Sequence, residues 1–296
     1  MLLLITGSLD GTADRIISEL GDNVFRLNYD LYRDYKISYS PDGWKIESPS
    51  GRVISSETAT RAFWWKAFAY HLADDRLIKA EVKYIYKDLY GWFSTRGKAR
   101  GTSIDFHNEW GKINILSRAK FYFEIPASLA TMRLSGASDL PKRPLVAKSL
   151  SSEPSSDKKV LMTTNIELSS LDDKYPWFLQ EFIKSDWDVT VFMCGNNLFP
   201  FKRSRKELKG IDWRAEQDFH FKKQEWFPFE LQEKEKTSFL LLAKDMNVEV
   251  GRFDLMTREG GDDLIFLEFN ANGQWVFLDI NNQYGLVKCV TEWLMN

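Results

Sequence analysis

The sequence predicts an α/β opening followed by a sheet-rich α+β body. Two observations carry this. The chain begins strand, tight loop, helix, strand, and its second half holds several runs of strand spacing joined by short turns. Composition agrees. Of the 296 residues, 44% are hydrophobic and 15% aromatic, which supplies a sizeable core and argues against global disorder. That length suits one large domain or two to three small ones packed together.

Leu2 to Ile5 is a short apolar run, and Thr6-Gly7-Ser8-Leu9-Asp10-Gly11 is turn chemistry. Ala13, Ile16, Ile17 and Leu20 recur at helical spacing, and Gly21 ends that helix. Val24 to Leu27 reads as the next strand. The glycines do not form GxGxxG, so a dinucleotide site is not supported. Tyr35 to Ser56 alternates in the manner of hairpins, turning at Pro41-Asp42-Gly43 and Pro49-Ser50-Gly51. Trp64-Trp65 reads as a core plug between domains in preference to a stacking site, since exposed tandem tryptophans would be costly.

Leu72 to Trp92 predicts a long amphipathic helix, and the polar stretch Arg96 to Gly111 a domain boundary. Lys112 to Phe123 is helical and ends at Ile125-Pro126. Leu145 to Ser149 is a buried-type strand, Ser149 to Lys159 has loop composition, and Val160-Leu161-Met162 reads as a return strand. Phe178 to Ile183, Asp188 to Met193 and Leu198 to Phe201 are strands, the last two joined at Asn196-Asn197. A helix follows over Phe229 to Met246. Val248 to Met256 and Leu264 to Asn270 form an antiparallel pair across Arg258 to Asp263. Trp275 to Ile280 predicts a last strand and Leu286 to Leu294 a last helix.

A net charge of -2 gives no phosphate-backbone footprint, so nucleic acid is not an expected partner. The local run Phe201-Lys202-Arg203-Ser204-Arg205-Lys206 reads either as a solvated loop or as a basic loop near a nucleotide. Cys194 and Cys289 lie far apart in apolar surroundings, as small core residues of a reducing compartment do. Met1 to Ile5 is too short for a signal peptide and lacks a basic flank, and no segment approaches the ~20 apolar residues of a membrane span. The expectation is a cytoplasmic protein without a membrane partner. His71, His107 and His220 are scattered, and no HExxH or CxxC occurs, so zinc is not suggested.

The strongest chemical signal is Phe266-Leu267-Glu268-Phe269-Asn270. Residues two apart in a strand point the same way, so Glu268 and Asn270 share one face while Leu267 and Phe269 take the core face. A hairpin brings Asp254, polar between Phe253 and Leu255, beside Glu268. Such an oxygen set suits Mg²⁺, which shares its shell with substrate phosphates; the same pattern also suits a solvated sheet face. Lys148 ends an apolar strand before a Ser-rich loop, which fits a phosphate cradle or an ordinary strand-end lysine. Arg205 and Asp212-Trp213-Arg214 place guanidiniums where a transferring phosphoryl could use them, or where surface pairing would.

In this order the pieces resemble the ATP-grasp superfamily, most of all RimK-like ligases and the peptide maturases that cyclise microviridin-type (graspetide) precursors. Leu4-Ile5-Thr6 and Asn23 to Asp30 look like a pre-ATP-grasp, Rossmann-like domain. Lys112-Ile113-Asn114-Ile115-Leu116-Ser117-Arg118-Ala119 is similar to the helix carrying the first ATP lysine, and Lys148 matches the second. Ile125-Pro126-Ala127-Ser128-Leu129-Ala130-Thr131 looks like P-x-T-L-x-T, with Ser128 in the Thr place. Gln180-Glu181-Phe182-Ile183 looks like the hinge for adenine and ribose, and Asp212-Trp213-Arg214 like D-[FW]-R. Asn270-Ala271-Asn272-Gly273-Gln274-Trp275 resembles N-P-N-G-Q-W with Ala271 for Pro.

The resemblance implies ATP binding at Lys112, Lys148, Gln180, Glu181, Phe182 and Ile183. It implies one or two Mg²⁺ on Asp254, Glu268 and Asn270, and catalytic roles for Arg214, near the γ-phosphate, and Arg205. It also implies an N-terminal pre-ATP-grasp domain over 1–105, a central subdomain over 106–180 and a C-terminal subdomain with the metal site over 181–296. The activity implied is an ATP-dependent carboxylate ligase. It joins side chains of a leader-bearing precursor peptide as esters or amides through an acyl phosphate. A homodimer is left open. The alternatives are a RimK-like ligase adding an amino acid to a protein or small molecule, a kinase of the same fold, and a non-catalytic nucleotide-binding module. Two departures stand out. Asp188-Val189-Thr190-Val191 holds no arginine where the family often has one, and the helix before Ile125-Pro126 lacks its usual glycine and is one residue shorter.

Overall fold

The structure is a computed structural model, and it describes all residues except 66–74, 103–105, 141–142, 152–162, 207, 209, 212–225 and 272. The opening unit forms as expected. β1 (Leu2–Thr6), α1 (Gly11–Leu20) and β2 (Val24–Asn28) give parallel pairing of β1 with β2. Asp10 caps α1 by accepting from the Thr12 and Ala13 amides. β3 (Lys36–Ser40), β4 (Gly43–Glu47) and β5 (Val53–Ser55) are the expected hairpins. β6 (Arg61–Trp64), which the sequence pattern did not announce, lies parallel to β1, and β7 (Ala99–Arg100) completes the order β2-β1-β6-β7. α2 (Arg76–Ser94) covers this sheet with Val82, Tyr86, Leu89, Tyr90 and Phe93.

After α3 (Phe106–Glu109) and α4 (Lys112–Ala119) comes a four-stranded antiparallel sheet. Its strands are β8 (Ser128–Thr131), β9 (Leu145–Lys148), β10 (Thr164–Ile166) and β11 (Trp177–Glu181), in the order β10-β9-β11-β8. The return strand expected at 160–162 lies outside the described residues.

The largest sheet is antiparallel and ordered β14-β13-β12-β15-β16. It comprises β12 (Trp187–Cys194), β13 (Asn197–Ser204), β14 (Phe227–Pro228), β15 (Val250–Thr257) and β16 (Leu264–Asn270). One face carries Val189, Val191, Met193, Phe253, Leu255, Phe266 and Phe269 into a core closed by α5 (Glu233–Asp245) and by Ile115, Leu116 and Ala119 of α4. Phe253 sits at its centre, with ring centroids 5.1 Å from Phe239 and 4.7 Å from Phe269. Such pairs add about 0.5–1.5 kcal/mol each beyond area burial. The other face is apolar at one end, where Phe192, Cys194 and Val250 join Leu2, Leu4, Phe63 and fully buried Trp65. Trp65 is thus the plug expected of the tandem tryptophans. At the other end this face is polar.

Two expectations need correction. Leu267 is not on the core face. A bulge between Asp254 and Leu255 pairs Asp254 with Glu268 and Leu255 with Phe266, so Leu267 is the extra residue and Phe266 takes the core position. Trp275 to Ile280 is not a strand. Val276–Leu278 is a short 3-10 turn, with Trp275 stacked 5.1 Å from Phe192. The buried Asp279 carboxylate then accepts from the Gln283, Tyr284 and Leu286 amides and sets the entry to α6 (Leu286–Met295). Cys194 and Cys289, distant in sequence, are neighbours in space, and both are free thiols.

Candidate nucleotide and metal site

The polar end of the large sheet gathers the predicted acidic residues because of register. Asp254 faces Glu268 directly across β15 and β16, Arg252 faces Asn270, and Thr190 of β12 faces Asp254 from the other side. Directly opposed residues share a face. Asn270 Nδ2 donates to Asp254 Oδ2 (2.7 Å) and Glu268 Oε1 (3.3 Å). Thr190 Oγ1 donates to Asp254 Oδ1 at 3.0 Å. Gly273 folds the following loop tightly back onto the strands. A Cβ there would lie 3.0 Å from the Cβ atoms of both Arg252 and Asn270.

Lys112, at the start of α4, reaches into this group. Its Nζ lies 3.6 Å from Glu268 Oε2 and donates to the Ser149 carbonyl at 2.7 Å. Ser149 follows Lys148, so Lys112 bridges the acidic group to the second sheet. There Lys148 Nζ donates to Gln180 Oε1 (2.7 Å), and Gln180 Nε2 donates to Ser128 Oγ (3.0 Å). Six of the predicted residues therefore form one linked set: Lys112, Lys148, Gln180, Asp254, Glu268 and Asn270.

The remaining predicted residues divide. Glu181 turns away from this set, pairing with Arg143 at 2.5 Å and lining a cleft of about 550 Å³ behind α4 with Ser117, Lys120, Pro126 and Arg258. Lys112, Lys148 and the acidic group do not line that cleft. The Phe182 amide donates to the Pro144 carbonyl, and the Ile183 side chain is buried. Arg205 is held at 2.5 Å by Asp188 and donates to the Ile211 carbonyl, with both charged side chains 9% exposed. Arg214, with Asp212 and Trp213, lies outside the described residues.

Two residues on this face carried no assignment from the sequence. Arg252 donates from Nε and Nη2 to the two oxygens of Asp254, each at 2.9 Å. Asp188 is buried and has one carboxylate oxygen, Oδ2, without a hydrogen-bond partner. Burial pushes its carboxyl above the usual range, against the pull of Arg205. Both were visible as polar residues two positions from another polar residue within an apolar strand.

The donor set fits magnesium. It offers two carboxylates and a side-chain amide whose oxygen comes in by a half-turn, all hard oxygen ligands on one face. Among the described residues, no group of three or more His, Cys, Asp or Glu converges, here or elsewhere, so the set at this face rests on two carboxylates and an amide.

No protein-family model matches the sequence, and no curated protein matches it. Solved structures do. The macrocyclase MdnC bound with precursor peptide MdnA from Microcystis aeruginosa MRC is 21% identical, with a TM-score of 0.83 over 100% of this chain and 99% of that one. The Chryseobacterium gregarium RiPP-associated ATP-grasp ligase in complex with ADP, a leader and a core peptide is 21% identical, with a TM-score of 0.84 over 99% and 96%. The ATP-grasp ligase PsnB complexed with minimal precursor, Mg and ADP is 12% identical, with a TM-score of 0.71 over 99% and 96%. The chain has the ATP-grasp fold throughout its length.

Proposed function

We propose that this protein is an ATP-dependent ligase that cross-links side chains of a leader-bearing precursor peptide. The observation that carries the reading is the linked set itself. Two lysines from different elements, Gln180 of β11 and three oxygen-bearing side chains form one linked set in a chain with the ATP-grasp fold. ATP would lie there, with Lys112 and Lys148 on its phosphates and residues 180–183 along its base and sugar. Asp254, Glu268 and Asn270 would hold magnesium, which when bound neutralises phosphate charge during transfer. Arg205 and Arg214 would serve the transferring phosphoryl. Domains over 1–105, 106–180 and 181–296 belong to the same reading.

The chemistry then follows in two steps. A peptide carboxylate oxygen attacks the γ-phosphorus and ADP leaves, giving an acyl phosphate. A hydroxyl or amine of the same peptide next attacks the acyl carbon and phosphate leaves, giving an ester or amide. The chain's side chains hold the reactants in line and balance charge, which is the main work of phosphoryl-transfer enzymes. The similar ligases are described with precursor peptides, ADP and magnesium, and their shared fold supports carrying these partners over. Among the described residues no helix is long and apolar enough to cross a membrane. A cytoplasmic location goes with this reading, and a homodimer is the assembly to test by sedimentation.

The test is co-expression with a short peptide encoded beside this gene that carries Thr-rich and Glu/Asp-rich repeats. Mass spectrometry is expected to show the peptide losing one water for each ring closed. A peptide recovered at unchanged mass while ADP accumulates contradicts cross-linking, and gain of a phosphate supports a kinase instead.

A further inference from the structure

Resting on that reading of the site, we propose that Arg252 is a positioning residue that makes metal binding at Asp254 conditional on nucleotide. Its side chain is 15% exposed and lies on the same face as the three candidate ligands. The guanidinium meets Asp254 side-on, Nε to Oδ1 and Nη2 to Oδ2, each at 2.9 Å. A third donor, Nη1, gives to the Gln274 carbonyl at 2.7 Å, and the group lies 5.5 Å from the Phe277 ring centroid. The charge is therefore anchored from two sides and cannot swing away with the carboxylate.

Asp254 accepts two further hydrogen bonds, from Thr190 and from Asn270. Four donors fill the roughly four lone-pair positions of a carboxylate. A divalent ion that takes Asp254 must displace one of them and then sit close to a fixed guanidinium. Like charges a few ångströms apart in a partly buried site repel strongly. An anion between them reverses the sign, because a phosphate oxygen can touch both the ion and the guanidinium. Arg252 thus disfavours the bare metal and favours the metal–nucleotide complex. Its tie to Gln274 extends the device, since the Gln274 side chain bonds Thr12 at the start of α1. Arg252 and the loop it grips thus link α1 to the Asp254 carboxylate.

The experiment measures Mn²⁺ binding by electron paramagnetic resonance, with and without ADP, in wild type, Arg252→Met and Arg252→Lys. Wild type is expected to bind Mn²⁺ weakly alone and at least about tenfold more tightly with ADP. Arg252→Met is expected to bind Mn²⁺ alone about tenfold more tightly and to lose most of the gain from ADP. Arg252→Lys, which keeps the charge, is expected to keep the coupling. A purely structural arginine would instead weaken both forms of binding together. The proposal is overturned if Arg252→Met, folded by circular dichroism, leaves Mn²⁺ affinity without ADP unchanged or lower. It is overturned equally if wild type, whatever the fate of the methionine variant, binds Mn²⁺ as tightly alone as with ADP. Failure of wild type to bind ADP would remove the functional reading and this inference with it. ADP binding without coupling to Mn²⁺ would remove this inference alone.

Discussion

Glu268→Gln is expected to cut ADP release in the presence of substrate by about a hundredfold or more, with the fold intact. The carboxylate stands opposite Asp254, 3.6 Å from Lys112 and within reach of the Asn270 amide. Glutamine keeps the shape and the hydrogen-bonding capacity but removes the charge that a cation on phosphate requires. Losing one preorganised electrostatic contact to a transferring group typically costs 10²–10³ in rate. Stability should barely change, because the side chain is about a quarter exposed and lies off the core face. Loss of a partly exposed ion pair such as Lys112–Glu268 costs about 1 kcal/mol or less. Thermal unfolding and ADP release, measured on the same preparation, separate the two effects. Activity near wild type at ordinary magnesium would break the metal assignment.

The second large effect is expected on binding rather than turnover. Lys148→Ala should weaken ATP binding by roughly ten- to hundredfold in calorimetry, the worth of a charge-assisted hydrogen bond of about 1.5–3 kcal/mol. The fold should survive. Lys148 ends β9, and its partner Gln180 keeps its bond to Ser128 Oγ after the lysine is removed. The strand pairing of β9 with β11 uses backbone groups that the substitution does not touch. Unchanged affinity would take Lys148 out of the site. It would also cast Lys112, which reaches the neighbouring Ser149 carbonyl, as a helix-start lysine paired with Glu268.

Much of this site was legible because strand geometry is local. Alternation placed Glu268 and Asn270 together, and a short turn at 258–263 was enough to set Asp254 opposite Glu268. The same rule failed at Leu267, because a bulge is a departure from period two that residue types alone do not signal. Trp275 to Leu278 misled for another reason. A short apolar run has no period to read, and here burial of Trp275 against Phe192 and the carboxylate of Asp279 decide the backbone. Lys112 had no signal of its own and was named only through the resemblance. Its meaning depends on Glu268, more than 150 positions away in the sequence. Arg252 carries no signal of its role in the sequence, although its spacing to Asp254 is that of a same-face pair. An arginine between apolar residues gives no hint that it grips a carboxylate on the same strand.

On the proposed function, Asp254, Glu268 and Asn270 hold a metal against the phosphates of a nucleotide. Crystals grown with ADP and Mn²⁺, measured at the manganese absorption edge, test it most directly. The expected result is an anomalous peak about 2.0–2.3 Å from oxygens of Asp254, Glu268 and Asn270, bridged to the diphosphate, with Lys112 and Lys148 on phosphate oxygens. ADP bound in the chain with manganese lying away from these three side chains, and Asp254 still wholly engaged by Arg252, would contradict it.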